Sequence, residues 1–101
     1  MKLLTAELRK VFPNLGEKDG KNPEEVPIIV KFFDPVGSWT WYATEFDGKD
    51  TFFGYVRGEE NEFGYFSLSE LESIKRPFGL GIERDMHFGK HMLAEAMKER
   101  L

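Results

Sequence analysis

The sequence predicts an α+β fold, a twisted four-stranded antiparallel meander with two or three helices packed on one face. Three observations predict it. Twelve of the fifteen aromatic residues fall between Phe32 and Phe66, in three short runs split by Gly, Pro and Asp, the pattern of strands joined by tight turns. Asp47-Gly48 stands between two of those runs, a strong hairpin signal because both residues accept φ > 0. The runs end at Ser67-Leu68-Ser69-Glu70, the spacing of a capping box that opens a helix.

The first element in chain order is a helix from Lys2 or Thr5 to Phe12, with Leu4, Leu8 and Val11 on one side and Pro13 as its stop. Thr5 is its candidate N-cap. Residues 14–27 carry Gly16, Gly20, Pro23 and many charges and read as a loop. A first strand is expected over residues 28–33, apolar on both sides and therefore central, with a turn at Asp34-Pro35-Val36-Gly37. The second strand, residues 38–46, places Trp39, Trp41, Ala43 and Glu45 on one side and Thr40, Tyr42, Thr44 and Phe46 on the other by strict alternation. A third strand follows over residues 51–57, and a short fourth over 63–66. Leu68, Leu71 and Ile74 give the next helix its apolar stripe until Pro77 stops it. The segment PFGLGIERD is expected to be extended, because Gly79 and Gly81 are poor helix-interior residues. A last helix, residues 89–100, is expected to bury Met92, Leu93, Ala96 and Met97.

Length and composition bound the function. A chain of 101 residues with 41% hydrophobic and 32% charged side chains reads as one domain spanning residues 1–101. No apolar stretch approaches the ~20 residues that cross a bilayer, and no membrane partner is expected. Glu7, Arg9 and Lys10 interrupt the apolar start, unlike a secretion signal. The absence of cysteine excludes disulfides and thiolate metal sites, and a cytoplasmic location is the expectation. The net charge of −4 is uneven. Residues 45–72 carry −6, whereas residues 73–101 carry +2. Glu45, Asp47, Asp50, Glu59, Glu60 and Glu62 thus form a candidate acidic patch for a basic protein partner. Acidic loops also serve simply to keep a sheet edge soluble.

Four strings, SWTWYATE, FFGYVRG, FGYFSLSELESI and LGIERD, resemble in order and spacing the bacterial family catalogued as domain of unknown function 2958. The resemblance runs from MKLLTAELRK to at least Asp85. It implies a small protein of plasmids, phages and integrative elements, with an accessory or anti-defence role and no catalytic residue to carry over. The segment between Phe46 and Phe52 is shorter than in many such relatives, so a function lodged in that insertion is not implied for this chain.

Four constellations remain. Trp39, Trp41, Phe53 and Tyr55 are expected as a cross-strand aromatic ladder, either core or a platform for a protein or for unpaired bases. Nucleic acid is disfavoured by net negative charge, although Arg57, Lys75, Arg76, Arg84 and Lys90 keep it in view. Glu83, Arg84 and Asp85 form a charged motif. Its carboxylates would suit a hard cation or acid–base chemistry of a small metal-dependent enzyme with His87, or simply an ion pair from Arg84 and a turn cap. His87, His91 and Glu95 have i, i+4, i+8 spacing, which aligns zinc ligands only on a continuous helix that Gly89 interrupts. No serine has an elbow motif and no glycine pair makes a phosphate loop. The expectation is a non-enzymatic protein-binding module with no cofactor, its short fourth strand leaving an edge for strand pairing.

Overall fold

A computed structural model describes residues 1–99 and 101 of the chain. Helix α1 (Ala6–Val11) starts at Thr5, whose hydroxyl accepts from Leu8 N, and leads through a loop and a 3₁₀ turn at Pro23–Glu25 into the sheet. Strands β1 (Val30–Phe33), β2 (Thr40–Phe46), β3 (Thr51–Arg57) and β4 (Asn61–Ser67) make the antiparallel meander. Helix α2 (Leu68–Ser73) follows, then a 3₁₀ turn at Pro77–Gly79, strand β5 (Glu83–Arg84) and helix α3 (Leu93–Met97). The sheet order is β4-β3-β2-β1-β5. Among the described residues no helix is long and apolar enough to cross a membrane.

The fold class is the α+β antiparallel sheet that the sequence predicts, with one strand more. β5 pairs Phe32 with Arg84 and Phe33 with Glu83, so the extended segment after Pro77 closes the free edge of β1. Phe78 departs from extended geometry, with φ 65° inside its turn. The helices are not confined to one face. Leu3, Leu4 and α2's Leu68 and Leu71 pack with Phe32, Trp41, Phe46 and Phe52. Val26, Ile28 and α3's Leu93 and Ala96 pack with Tyr42 and Tyr55. Trp41 and Tyr42 are consecutive in a strand, so these clusters lie on opposite faces. Aromatic side chains on both faces demand cover on both. Each fully buried ring contributes on the order of 1.5–3 kcal/mol, and Tyr42, Phe32, Phe46 and Phe52 are all below 2% exposed.

A β-bulge decides which side chains share a face. Ala43 pairs with Gly54, but the next partners are Glu45 and Phe53. Thr44 is the extra residue, and its hydroxyl donates to Phe53 O at 3.2 Å. Beyond the bulge Phe46 joins Trp41 and Ala43 in one core, and Glu45 turns to the other face beside Phe53, correcting strict alternation. A Cβ on Gly54 would lie 1.9 Å from Tyr42 O, so the strands close up here as only glycine allows.

Asp47-Gly48 forms no two-residue turn. Asp47 Oδ1 accepts from Lys49, Asp50 and Thr51 N, and Asp47 N donates to Thr51 O, closing a four-residue loop with Gly48 at φ 85°. α3 is shorter than expected and buries Leu93, Ala94 and Ala96, while Met92 and Met97 remain exposed. Arg100, the last residue of the expected helix, lies outside the described residues.

Candidate functional site

β4 ends the sheet and pairs on one side only, with β3, in seven unbroken register pairs from Thr51↔Ser67 to Arg57↔Asn61. Alternation along this strand turns Phe63 and Tyr65 to the face that carries Phe53 and Tyr55. Phe63 is 44% exposed and Tyr65 69%. Their rings continue an aromatic cluster, with centroids at 5.1 Å for Tyr55–Phe63, 5.1 Å for Phe53–Tyr65 and 6.2 Å for the stacked Phe53–Phe63 pair. Glu59 and Glu60 in the β3–β4 turn are exposed at the start of this strand, and Glu62, also exposed, points by the same alternation to the opposite face. Such an apolar patch, on an edge strand with no Lys, Pro or bulge, leaves backbone groups open to strand pairing.

The expected aromatic ladder is divided. Trp41 pairs with Val56 and Tyr42 with Tyr55, so Trp41 faces one core while Phe53 and Tyr55 face the other. Trp39 precedes β2. It lies 5.9 Å from Trp41, ring to ring, and covers Gly58, where a Cβ would come within 2.5 Å of its indole. Phe63 and Tyr65 are exposed aromatics outside the expected ladder. The signal was present in their i, i+2 spacing in the terminal strand of a meander, which is an edge unless something covers it.

The acidic patch also divides. Glu45 is 2% exposed, and its two carboxylate oxygens accept from Gly16 N at 2.8 Å and Lys18 N at 2.9 Å. It clamps the loop after α1. Backbone N–H donors, that of Lys49 foremost and then those of Thr51 and Asp50, hold the Asp47 carboxyl below its ordinary value. Asp50 accepts from Ser69 N at 2.8 Å and from Ser69 Oγ at 2.7 Å, fastening the hairpin to α2. Among the described residues, the Glu59, Glu60 and Glu62 side chains make no such bonds to the loops. Ser67 caps α2 through Glu70 N at 3.0 Å, but the Glu70 carboxylate takes the Ser67 hydroxyl at 2.9 Å rather than its backbone N–H.

In the charged motif, Arg84 Nη1 donates to the carbonyls of Lys2 (2.8 Å) and Leu3 (3.0 Å), not to a meander carboxylate. Asp85 lies 3.6 Å from Lys31 Nζ and accepts from His87 N, a turn cap. Glu83 sits opposite Phe33 in β5. His87 is exposed in a turn and His91 precedes α3, so the three-ligand helix face does not form. His91 Nδ1 instead lies 3.4 Å from Glu95 Oε1. Among the described residues no three His, Cys, Asp or Glu side chains are grouped to hold a metal ion.

The family model described as "Protein of unknown function (DUF2958)" matches residues 3–98. The chain belongs to that family. The match takes in every strand and helix of this DUF2958 chain, the β4 surface included. No curated protein and no solved structure matches it.

Proposed function

We propose that this protein is a small non-enzymatic accessory module that binds a protein partner along β4. The observation that carries the reading is the pairing of exposed Phe63 and Tyr65 with an uninterrupted edge strand that begins at the exposed acidic turn of Glu59 and Glu60. A partner segment that adds a strand to β4 gains backbone hydrogen bonds, and its side chains meet the aromatic cluster. The acidic turn favours a basic segment and speeds its approach. Glu45, Asp47 and Asp50 serve this surface indirectly, by holding the loops around it. The setting implied by the family resemblance is a bacterial mobile element, with the protein acting in the cytoplasm and an anti-defence role as the sharpest form.

The test is a pull-down from host-cell lysate, with and without nuclease, using wild type and Tyr65→Lys. The expected result is a basic protein retained after nuclease, lost with Tyr65→Lys, and released as salt rises, since surface charge attraction is screened beyond about 8 Å at physiological ionic strength. Capture unaffected by Tyr65→Lys overturns the assignment to β4. Recovery of nucleic acid that disappears on nuclease treatment favours instead a single-strand binder that stacks bases on the same rings.

A further inference from the structure

At the opposite edge of the sheet from β4, two clefts adjoin between α1 and the chain that follows β5. Their origin is local. Asp85 N donates to Lys31 O and Ile28 N to His91 O, both at 2.9 Å. These bonds tie one end of the segment to β1 and the other to the chain just before it, while residues 86–90 form no strand. Gly89, at φ 75°, permits the path. The space left beside Ile29 is the pair of clefts.

The larger, about 390 Å³, is walled chiefly by Leu8, Val11, Pro27, Ile28 and Met92, with Lys90 and His91 also lining it. The smaller, about 280 Å³, shares Leu8, Ile29 and Gly89 with it and adds Lys31, Arg84 and Asp85. One lobe is thus mainly apolar and the other charged. Their volumes fall near the ~300–1,000 Å³ of small-molecule sites, in which a few polar groups orient an apolar body.

The charges specify the ligand further. Lys31 is balanced by Asp85 at 3.6 Å and lies over the Phe88 ring. Arg84 spends Nη1 on two carbonyls and makes no ion pair among the described residues. The charged lobe therefore holds one uncompensated positive charge, which suits a monoanion better than a dianion. We infer that the joined clefts bind a small amphiphilic monocarboxylate, its chain against Leu8, Val11 and Ile29 and its carboxylate toward Arg84. A charge-assisted hydrogen bond from the guanidinium fixes the head, and burial of the chain supplies the drive. The site stands apart from β4, so its failure leaves the partner-binding reading intact.

The experiment is titration calorimetry of the full chain with sodium octanoate, octylamine and sodium acetate, together with amide chemical shifts. Octanoate is expected to bind saturably and to move the Ile29 and Gly89 amides. Acetate lacks the chain and octylammonium has the wrong charge, so both should bind at least about ten-fold more weakly. Val11 is 59% exposed, so Val11→Glu should fold, and by setting a carboxylate at the mouth of the apolar lobe, where a bound chain would have to desolvate it, it should weaken octanoate at least about ten-fold. Lys90→Glu, on an exposed residue, serves if Val11→Glu loses its native circular dichroism, and should weaken octanoate but not acetate. Equal affinity for octanoate and octylammonium, shifts scattered over the surface, or affinity unmoved in the folded variant would each overturn the proposal.

Discussion

Glu45→Ala separates two readings of one carboxylate. A surface acid that only contributes charge to a patch changes stability by within about 0.5 kcal/mol when removed. Glu45 is 2% exposed and holds Gly16 N at 2.8 Å and Lys18 N at 2.9 Å. Hydrogen bonds to a charged group are each worth roughly 1.5–3 kcal/mol on deletion. Part of that is returned because alanine spares the cost of burying a charge. A net loss of about 3 kcal/mol is expected, and at ~4–8 °C per kcal/mol for a domain of this size it lowers Tm by ~12–24 °C. Glu45→Gln keeps the shape but turns one amide N–H toward a backbone donor, so its loss falls between wild type and alanine. Urea unfolding with an unchanged slope gives the free energy, and hydrogen exchange at Gly16 and Lys18 shows whether the loop has been released. A Glu45→Ala protein within about 0.5 kcal/mol of wild type, with those two amides still protected, would falsify the clamp.

Gly54→Ala should be more damaging than its one added methyl suggests. The 1.9 Å approach to Tyr42 O is to backbone, so the bulge must open, at a cost above the ~1–3 kcal/mol of ordinary overpacking; a Gly54→Ala protein as stable as wild type would show that the strands are not so close. Asp47→Asn should alter the pH dependence of stability. The folded-state value of Asp47 is depressed, so its stabilisation is complete above the ordinary carboxylate range and is lost as pH falls through the depressed value. Urea midpoints of wild type and variant should therefore differ near neutrality and converge in acid, and a constant difference would refute the assignment. Phe52→Ala should cost about 3–5 kcal/mol, because its ring lies within 5.6 Å, centroid to centroid, of Phe12, Phe32, Phe46 and Phe66; a loss under ~1 kcal/mol, measured by the same unfolding, would mean that this core is loosely packed.

Features under local control are legible in the chain alone. Thr5 and Ser67 are side-chain caps because a hydroxyl before an apolar stripe satisfies the free N–H groups of the first turn. Pro13 ends α1, whereas α2 already stops at Ser73, ahead of Pro77, which opens the next 3₁₀ turn; the aromatic runs become strands because such side chains suit a pleated surface. Asp47 gathers a loop because its carboxylate reaches the N–H groups two to four residues on. The acidic turn at Glu59 and Glu60 was legible for the same reason, since it needs no distant partner.

Which side chains face where, and which remain uncovered, follows instead from contacts between distant segments. Strict alternation placed Phe46 opposite Trp41 and left Glu45 in a surface patch. One extra residue at Thr44 reversed both, and such a bulge arises from pairing with β3, not from the residues of β2 alone. β5 became a strand because β1 offered a free edge. The exposure of Phe63 and Tyr65 likewise follows from the sheet order, which leaves β4 outermost. Periodicity along a strand is a local property, whereas register, edge position and cover are set by contacts between segments far apart in the chain.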